Sequence, residues 1–135
     1  MLTNRGYIKR MPLTLYQEQK RGGKGVSTGL AEEDFVQHIF ICSTHDNILF
    51  LNDRGKLFLL KSYMIPEVSR ISKGKAIVNL LNVQNIKAVI SLANLEGTLV
   101  IATKRGIAKR TELKSFVQIQ RTGVTAAKLP QDDNI

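Results

Sequence analysis

Seven consecutive residues concentrate the chemistry of this chain. Gln19, Lys20, Arg21, Gly22, Gly23, Lys24 and Gly25 bring three cations and three glycines together. Glycines lack Cβ, so their backbone can approach an anion closely and turn its N–H groups toward it. Lys20, Arg21 and Lys24 supply positive charge, and a guanidinium such as that of Arg21 can grip a phosphate through two parallel hydrogen bonds. The stretch is not a nucleotide-binding P-loop. That motif needs Gly-Lys followed by Ser or Thr, whereas Lys24 precedes Gly25, Lys56 precedes Leu57 and Lys75 precedes Ala76. By composition alone the heptad suits either a phosphate cradle or a flexible surface connection.

No catalytic constellation accompanies it. His38 and His45 are isolated and have no Cys or His partner at metal-ligand spacing. Glu32, Glu33 and Asp34 are consecutive, so their carboxylates would point apart on a strand, and they read as a solvated loop. Tyr7, Tyr16 and Tyr63 read as packing or hairpin residues. The single cysteine, Cys42, follows Ile39, Phe40 and Ile41 and reads as a small buried hydrophobe. One cysteine forms no internal disulfide, which fits a cytoplasmic setting. There is no apolar run of transmembrane length. Arg5, Lys9 and Arg10 precede no apolar stretch, so no secretory signal is expected. Neither a catalytic residue nor a metal site is expected in the chain.

The elements that must position the heptad repeat at about fifty residues. Arg5-Gly6, Arg54-Gly55 and Arg105-Gly106 recur at spacings of 49 and 51, and Gly25, Gly74 and Gly123 recur in the same phase at 49 and 49. Periods of this size indicate propellers or solenoids. Strands are predicted at residues 1–3, 39–42, 48–51, 56–61, 76–81, 88–92, 98–103, 107–111 and 124–129. Asn and Asp at the turns bond their own backbone, and Gly takes the left-handed positions. One helical turn competes over residues 32–40. Four short strands per repeat match a propeller blade. The expected fold is all-β, with blades of about four antiparallel strands in an incomplete ring of about two and a half blades. The expected divisions are 1–38, 39–87 and 88–135. Exposed sheet edges at both ends make self-association an expectation.

The charge repeats with the strands. The chain carries 20 Lys and Arg against 11 Asp and Glu, a net +9. Residues 1–25, 54–75 and 104–128 hold six, six and seven cations and one acid each, while the blocks between are neutral or acidic. Equivalent segments of an array occupy equivalent places, so the cations are expected to form one band that a duplex backbone could follow. Such a band neutralises phosphates and reads no bases.

The heptad resembles the gyrase A box, the signature of the C-terminal domain of the DNA gyrase A protein, at all seven positions. The resemblance extends over Gly6-Tyr7-Ile8-Lys9, Glu33-Asp34-Phe35, Thr44-His45-Asp46 and residues 76–81, and so over essentially the whole chain. It implies a β-pinwheel, usually of six blades, in which neighbouring blades exchange a strand. It also implies a DNA-wrapping role on double-stranded DNA, within an assembly of two gyrase A and two gyrase B subunits in the bacterial cytoplasm. The fragment itself would be non-catalytic, with ATP and Mg2+ used elsewhere in the holoenzyme and no membrane partner. The expected DNA-binding residues are the heptad together with Arg5, Lys9, Arg10, Arg54, Lys56, Lys61, Arg70, Lys73, Lys75, Arg105, Lys109, Arg110 and Arg121. The alternatives are a topoisomerase IV C-terminal domain, or a propeller module that binds an acidic protein.

Overall fold

The computed structural model describes residues 1–15, 29–30, 32–119 and 121–135. The heptad at 19–25 and Tyr16 lie outside these described residues. Ten strands follow in chain order: β1 (Leu2–Thr3), β2 (Tyr7–Ile8), β3 (Val36–His38), β4 (Asn47–Asn52), β5 (Lys56–Lys61), β6 (Lys75–Ala76), β7 (Ile86–Leu92), β8 (Thr98–Ala102), β9 (Ala108–Glu112) and β10 (Val124–Thr125). Short 3-10 turns occupy Leu13–Leu15, Ser62–Met64, Ile77–Asn79 and Leu113–Phe116, and there is no α-helix among the described residues. The all-β expectation holds.

The strands form three sheets, ordered β3-β1-β2-β6, β7-β4-β5-β10 and β8-β9. Every neighbouring pair within them is antiparallel. The first two sheets repeat one plan. β6 lies beside β2 as β10 lies beside β5, and β3 lies beside β1 as β7 lies beside β4. The second repeat therefore lends a strand to the first sheet, and the third lends one to the second. The sheets thus cut across divisions drawn at residues 38 and 87. β7, read from the sequence as the opening of the third repeat, pairs with β4 along its length.

Three predicted strands change. Residues 39–42 form none, and β3 lies just before them, in place of the helical turn considered for 32–40. In the stretch 76–81 only Ala76 is strand. The Ile77 N–H then bonds the Gly6 carbonyl at 2.8 Å, and the Leu80 and Leu81 N–H groups bond back to the Ile77 carbonyl at 2.9 Å. Ile77 and Leu81 are buried in the first core at the two ends of this curl. Likewise β10 ends at Thr125, because the Ala126 and Ala127 N–H groups both turn to the Gly55 carbonyl, at 3.0 and 3.1 Å.

β4 explains how the sheets stack. Its residues Ile48, Leu49, Phe50 and Leu51 are all buried. Side chains alternate across a strand, so Ile48 and Phe50 enter one core while Leu49 and Leu51 enter another. The first core joins Leu2, Ile8, Phe58, Leu60, Ile65, Ile77, Leu81 and Val83. The second joins Leu57, Ile101, Leu113, Phe116, Ala126 and Ala127. A strand covered on both faces reads as a continuous apolar run, which is why this stretch shows no polar alternation.

The glycines ahead of the exchanged strands permit the exchange. At Gly74 (φ +90) a Cβ would lie 2.6 Å from the Ile8 carbonyl oxygen, and at Gly123 (φ +73) it would lie 2.6 Å from the Phe58 ring and 2.9 Å from the Leu57 oxygen. Each lets one repeat's chain press against the central strand of the preceding sheet. Gly97 (φ +91) has open space where its Cβ would go and separates conformational strain from collision. Gly97→Ala should cost about 1–2 kcal/mol, the penalty for left-handed backbone. Gly74→Ala and Gly123→Ala should each cost about 1–3 kcal/mol more through overpacking. Urea unfolding of the three variants measures the difference, and equal costs would show that the close approach does not matter.

Candidate nucleic-acid interface

The three Arg-Gly turns are built alike. Gly6, Gly55 and Gly106 have φ of +80, +75 and +83. Their N–H groups bond the carbonyls of Thr3, Asn52 and Thr103 at 3.0, 3.2 and 3.0 Å. The first two turns join the two central strands of their sheets, and the third joins β8 to β9. The arginines, however, are tied to the chain segment that packs behind the turn. Arg5 pairs with Glu33 at 2.8 Å, and Arg105 pairs with Asp132. Arg54 donates to the Asp133 carbonyl at 2.7 Å and the Pro130 carbonyl at 3.2 Å. Exposed ion pairs of this kind are worth about 0–1 kcal/mol. Arg5 and Arg105 can exchange their carboxylates for a phosphate at little cost, whereas Arg54 spans two backbone carbonyls and is committed to packing.

Lys9 requires a correction. It is 2% exposed, and its ammonium donates to the carbonyls of Arg70 and Ser72 at 2.7 Å each. Burial pushes its pKa down. It cannot reach a duplex while so enclosed. Arg10 is largely occupied as well, bonding Glu67 at 2.6 Å and the Ile65 carbonyl at 3.3 Å. Lys61 reaches the His45 carbonyl at 3.2 Å, Lys109 the Ala126 carbonyl at 2.7 Å, and Arg121 the Leu80 and Asn79 carbonyls at 3.0 and 2.9 Å. Lys56 lies 5.8 Å from the Phe58 ring centre. Arg70, Lys73, Lys75 and Arg110 are exposed, and Lys73 rests 4.1 Å above the Tyr7 ring. Lys87, Lys104, Lys114 and Lys128 are exposed too. The sequence-based set omits them, although Lys104, Lys114 and Lys128 fall within its third basic block.

The cations do not lie at one level. β6 runs antiparallel to β2, with Lys75 beside Ile8 and Ala76 beside Tyr7. The loop ahead of β6 therefore emerges beyond Ile8, at the end of β2 away from the Arg5-Gly6 turn. Gly123, beside Phe58, leads into β10 in the same way, away from Arg54. Three residues of strand separate turn from loop, about 10 Å. The basic block read as one band is thus two tiers: turn arginines, exposed but held by the segment behind the turn, and loop cations that include Arg70 and Lys73, exposed as well. In sequence the heptad ends at Gly25 as these loops end at Gly74 and Gly123. Gly29, four residues beyond the heptad, lies against the loop that carries Arg70 and Lys73: a Cβ there would fall 1.9 Å from the Ile71 carbonyl oxygen.

A sequence model described as "DNA gyrase C-terminal domain, beta-propeller" matches residues 1–43, 46–87 and 97–135. The chain belongs to this gyrase C-terminal domain family. Curated relatives agree. The DNA gyrase A protein of Campylobacter fetus is 46% identical over 99% of the chain, and those of Halalkalibacterium halodurans and Staphylococcus aureus are 44% and 42% identical. The chain spans only 16% of the Campylobacter fetus protein. Among solved structures, a DNA gyrase A C-terminal domain superposes with a TM-score of 0.76 at 29% identity, covering 98% of this chain and 44% of the solved one. A topoisomerase IV C-terminal domain reaches 0.79 at 23% identity, over 98% of this chain and 42% of its own, a likeness of fold.

Within this gyrase domain, two carboxylates each tie a later chain segment back to the Arg-Gly turn of its own repeat. Asp34 accepts the N–H groups of Arg5 and Phe35 at 3.1 and 3.0 Å. Asp133 accepts those of Arg105 and Asn134 at 3.1 and 2.9 Å. Both are buried, which corrects the reading of residues 32–34 as a wholly solvated loop. Burial pushes the Asp34 carboxyl up, but the Thr3 hydroxyl, the two N–H groups and the Arg5 charge together hold it below the usual range. For Asp133 the Thr103 hydroxyl leads in lowering it, against burial and with the N–H groups and charge of its neighbours. A carboxyl whose folded pKa is depressed contributes stability that is complete above its unfolded value, about 3.9, and is lost as pH falls through the folded one. The melting temperature should therefore fall steeply below about pH 4, and less steeply in Asp34→Asn and Asp133→Asn. Parallel melting curves for all three proteins across that range would contradict the assignment.

Burial also lowers the pKa of His38, and its buried Nε2 has no hydrogen-bond partner among the described residues. His45 is exposed and sits edge-on to Tyr63, 6.5 Å between ring centres. Cys42 packs against the first core with its Sγ 3.3 Å from the Ser62 hydroxyl oxygen. Among the described residues no three His, Cys, Asp or Glu side chains converge as metal ligands would, and no helix is long and apolar enough to cross a membrane.

Proposed function

We propose that this chain is a DNA-binding portion of a gyrase A C-terminal domain, which bends duplex DNA along its basic loops so that the complete enzyme can introduce negative supercoils. One observation supports the reading above others. The intact heptad stands in repeat register with residues 68–74, and Gly29, four residues beyond it, lies against Ile71, in the loop that carries the exposed cations Arg70 and Lys73. Loops that contact phosphates from several blades in turn hold a duplex by its backbone, independent of sequence. Strand cleavage, ATP hydrolysis and Mg2+ binding fall to other parts of the assembly of gyrase A and gyrase B subunits. The intact heptad favours gyrase over topoisomerase IV, whose corresponding domain carries a degraded or missing box.

A gel-shift titration against salt tests the proposal. Backbone binding gives a log–log slope of about −0.9 per phosphate contacted, so several contacts make the affinity fall steeply. Absence of duplex binding at low salt, or a shallow slope, would favour a module that binds an acidic protein. The sheet β8-β9 has two strands where its counterparts have four, and its edges offer a second copy a place to pair. Sedimentation showing only monomer at high concentration would refute such self-association.

A further inference from the structure

We infer that Lys9 is a positioning residue for DNA binding: from beneath, its buried ammonium sets residues 68–74 as a second phosphate-gripping loop. The inference rests on the DNA-binding function proposed above. Shifted by 49 residues, the spacing of Gly25 to Gly74, the heptad falls on Val68, Ser69, Arg70, Ile71, Ser72, Lys73 and Gly74. Arg21 then corresponds to Arg70, Lys24 to Lys73 and Gly25 to Gly74. The two intervening glycines are absent, so the second loop has fewer backbone N–H groups free to cradle an anion and depends more on its side chains. Those side chains need a fixed backbone beneath them.

Lys9 supplies it. The Arg70 and Ser72 carbonyls, two residues apart, both point inward onto one ammonium at 2.7 Å. With those carbonyls turned in, Arg70 and Lys73 are presented outward, and both are exposed. Two further contacts brace the loop from the same strand: Lys73 on the Tyr7 ring, and Gly74 against the Ile8 carbonyl. A buried ammonium is expensive unless it is bonded, and an apolar side chain here would fill the space without that expense. The energetic advantage of lysine lies in ordering the loop. Ordering in advance removes the entropy of fixing it when DNA binds.

The test measures duplex affinity of the 135-residue chain against salt for the unsubstituted protein, Lys9→Met, Arg70→Ala/Lys73→Ala and the triple variant, each checked for a cooperative melt. Loss of two phosphate contacts should reduce the slope by about 1.8. Lys9→Met should lose about as much as the double variant, and the triple variant no more than either. A Lys9→Met chain that melts at lower temperature but keeps the full slope makes Lys9 an ordinary core residue and overturns the inference. An unchanged slope in Arg70→Ala/Lys73→Ala overturns it as well, by removing the loop from the interface, while salt-dependent binding by the unsubstituted chain keeps the proposed function. A chain that binds no duplex overturns both. If Lys9→Met fails to melt cooperatively, amide exchange of the unsubstituted chain decides. Protection of residues 70–74 by duplex supports the inference, and unchanged exchange overturns it.

Discussion

A Phe50→Ala chain will unfold with about 3–5 kcal/mol less stability than the unsubstituted protein. Phe50 is fully buried on β4, at the junction where the first two sheets meet, in one core with Leu2, Ile8, Phe58 and Ile77. Truncation removes the transfer energy of the ring and leaves a cavity that residues on two different sheets would have to move together to close. Domains of this size are stable by about 5–15 kcal/mol, so the loss is a large share of the total. Val100, 63% exposed on β8, is the control, and Val100→Ala should stay within about 0.5 kcal/mol. Urea unfolding with an unchanged m-value measures both. If Phe50→Ala cost no more than Val100→Ala, the two sheets would not share the core described here.

Joint replacement of Lys20, Arg21 and Lys24 by alanine should have the largest functional effect. Three lost phosphate contacts reduce the salt slope of duplex affinity by about 2.7. Over a salt range of about 50 to 200 mM that slope difference means that the unsubstituted chain should weaken about fortyfold more than the variant. The melting temperature should hardly change, because removing three cations from a +9 chain relieves repulsion. Placed in a complete gyrase A protein, the same replacement should abolish negative supercoiling while leaving weak DNA binding. Normal supercoiling by that enzyme would remove the heptad from its assigned role.

Much of the local structure was legible in the residues themselves. The Arg-Gly turns could be placed because a left-handed glycine closing a tight turn is a matter of a few adjacent dihedrals. β4, β5, β8 and β9 could be placed because their apolar patterns are strong and their hairpin partners lie a few residues away. The exchange of β6 and β10 was not legible from pattern. It depends on Gly74 meeting Ile8 and on Gly123 meeting Phe58, contacts between segments far apart in the chain. The resemblance supplied that expectation, and the sheet order shows it.

The site divides in the same way. Residue type and spacing alone determined that cations recur in phase with the repeat, and that the heptad carries charge on a backbone able to approach an anion. They did not separate Lys9 from Arg70 or Arg54 from Arg110, since each pair carries the same charge in similar basic blocks. Only the tertiary structure made Lys9 a buried brace and Arg54 a clamp, and it likewise turned Asp34 from a surface acid into a latch. Charge and turn preference are properties of a residue and its immediate neighbours. Which cation faces solvent depends on the carbonyls that distant segments bring to it, and those segments come together only when the sheets stack.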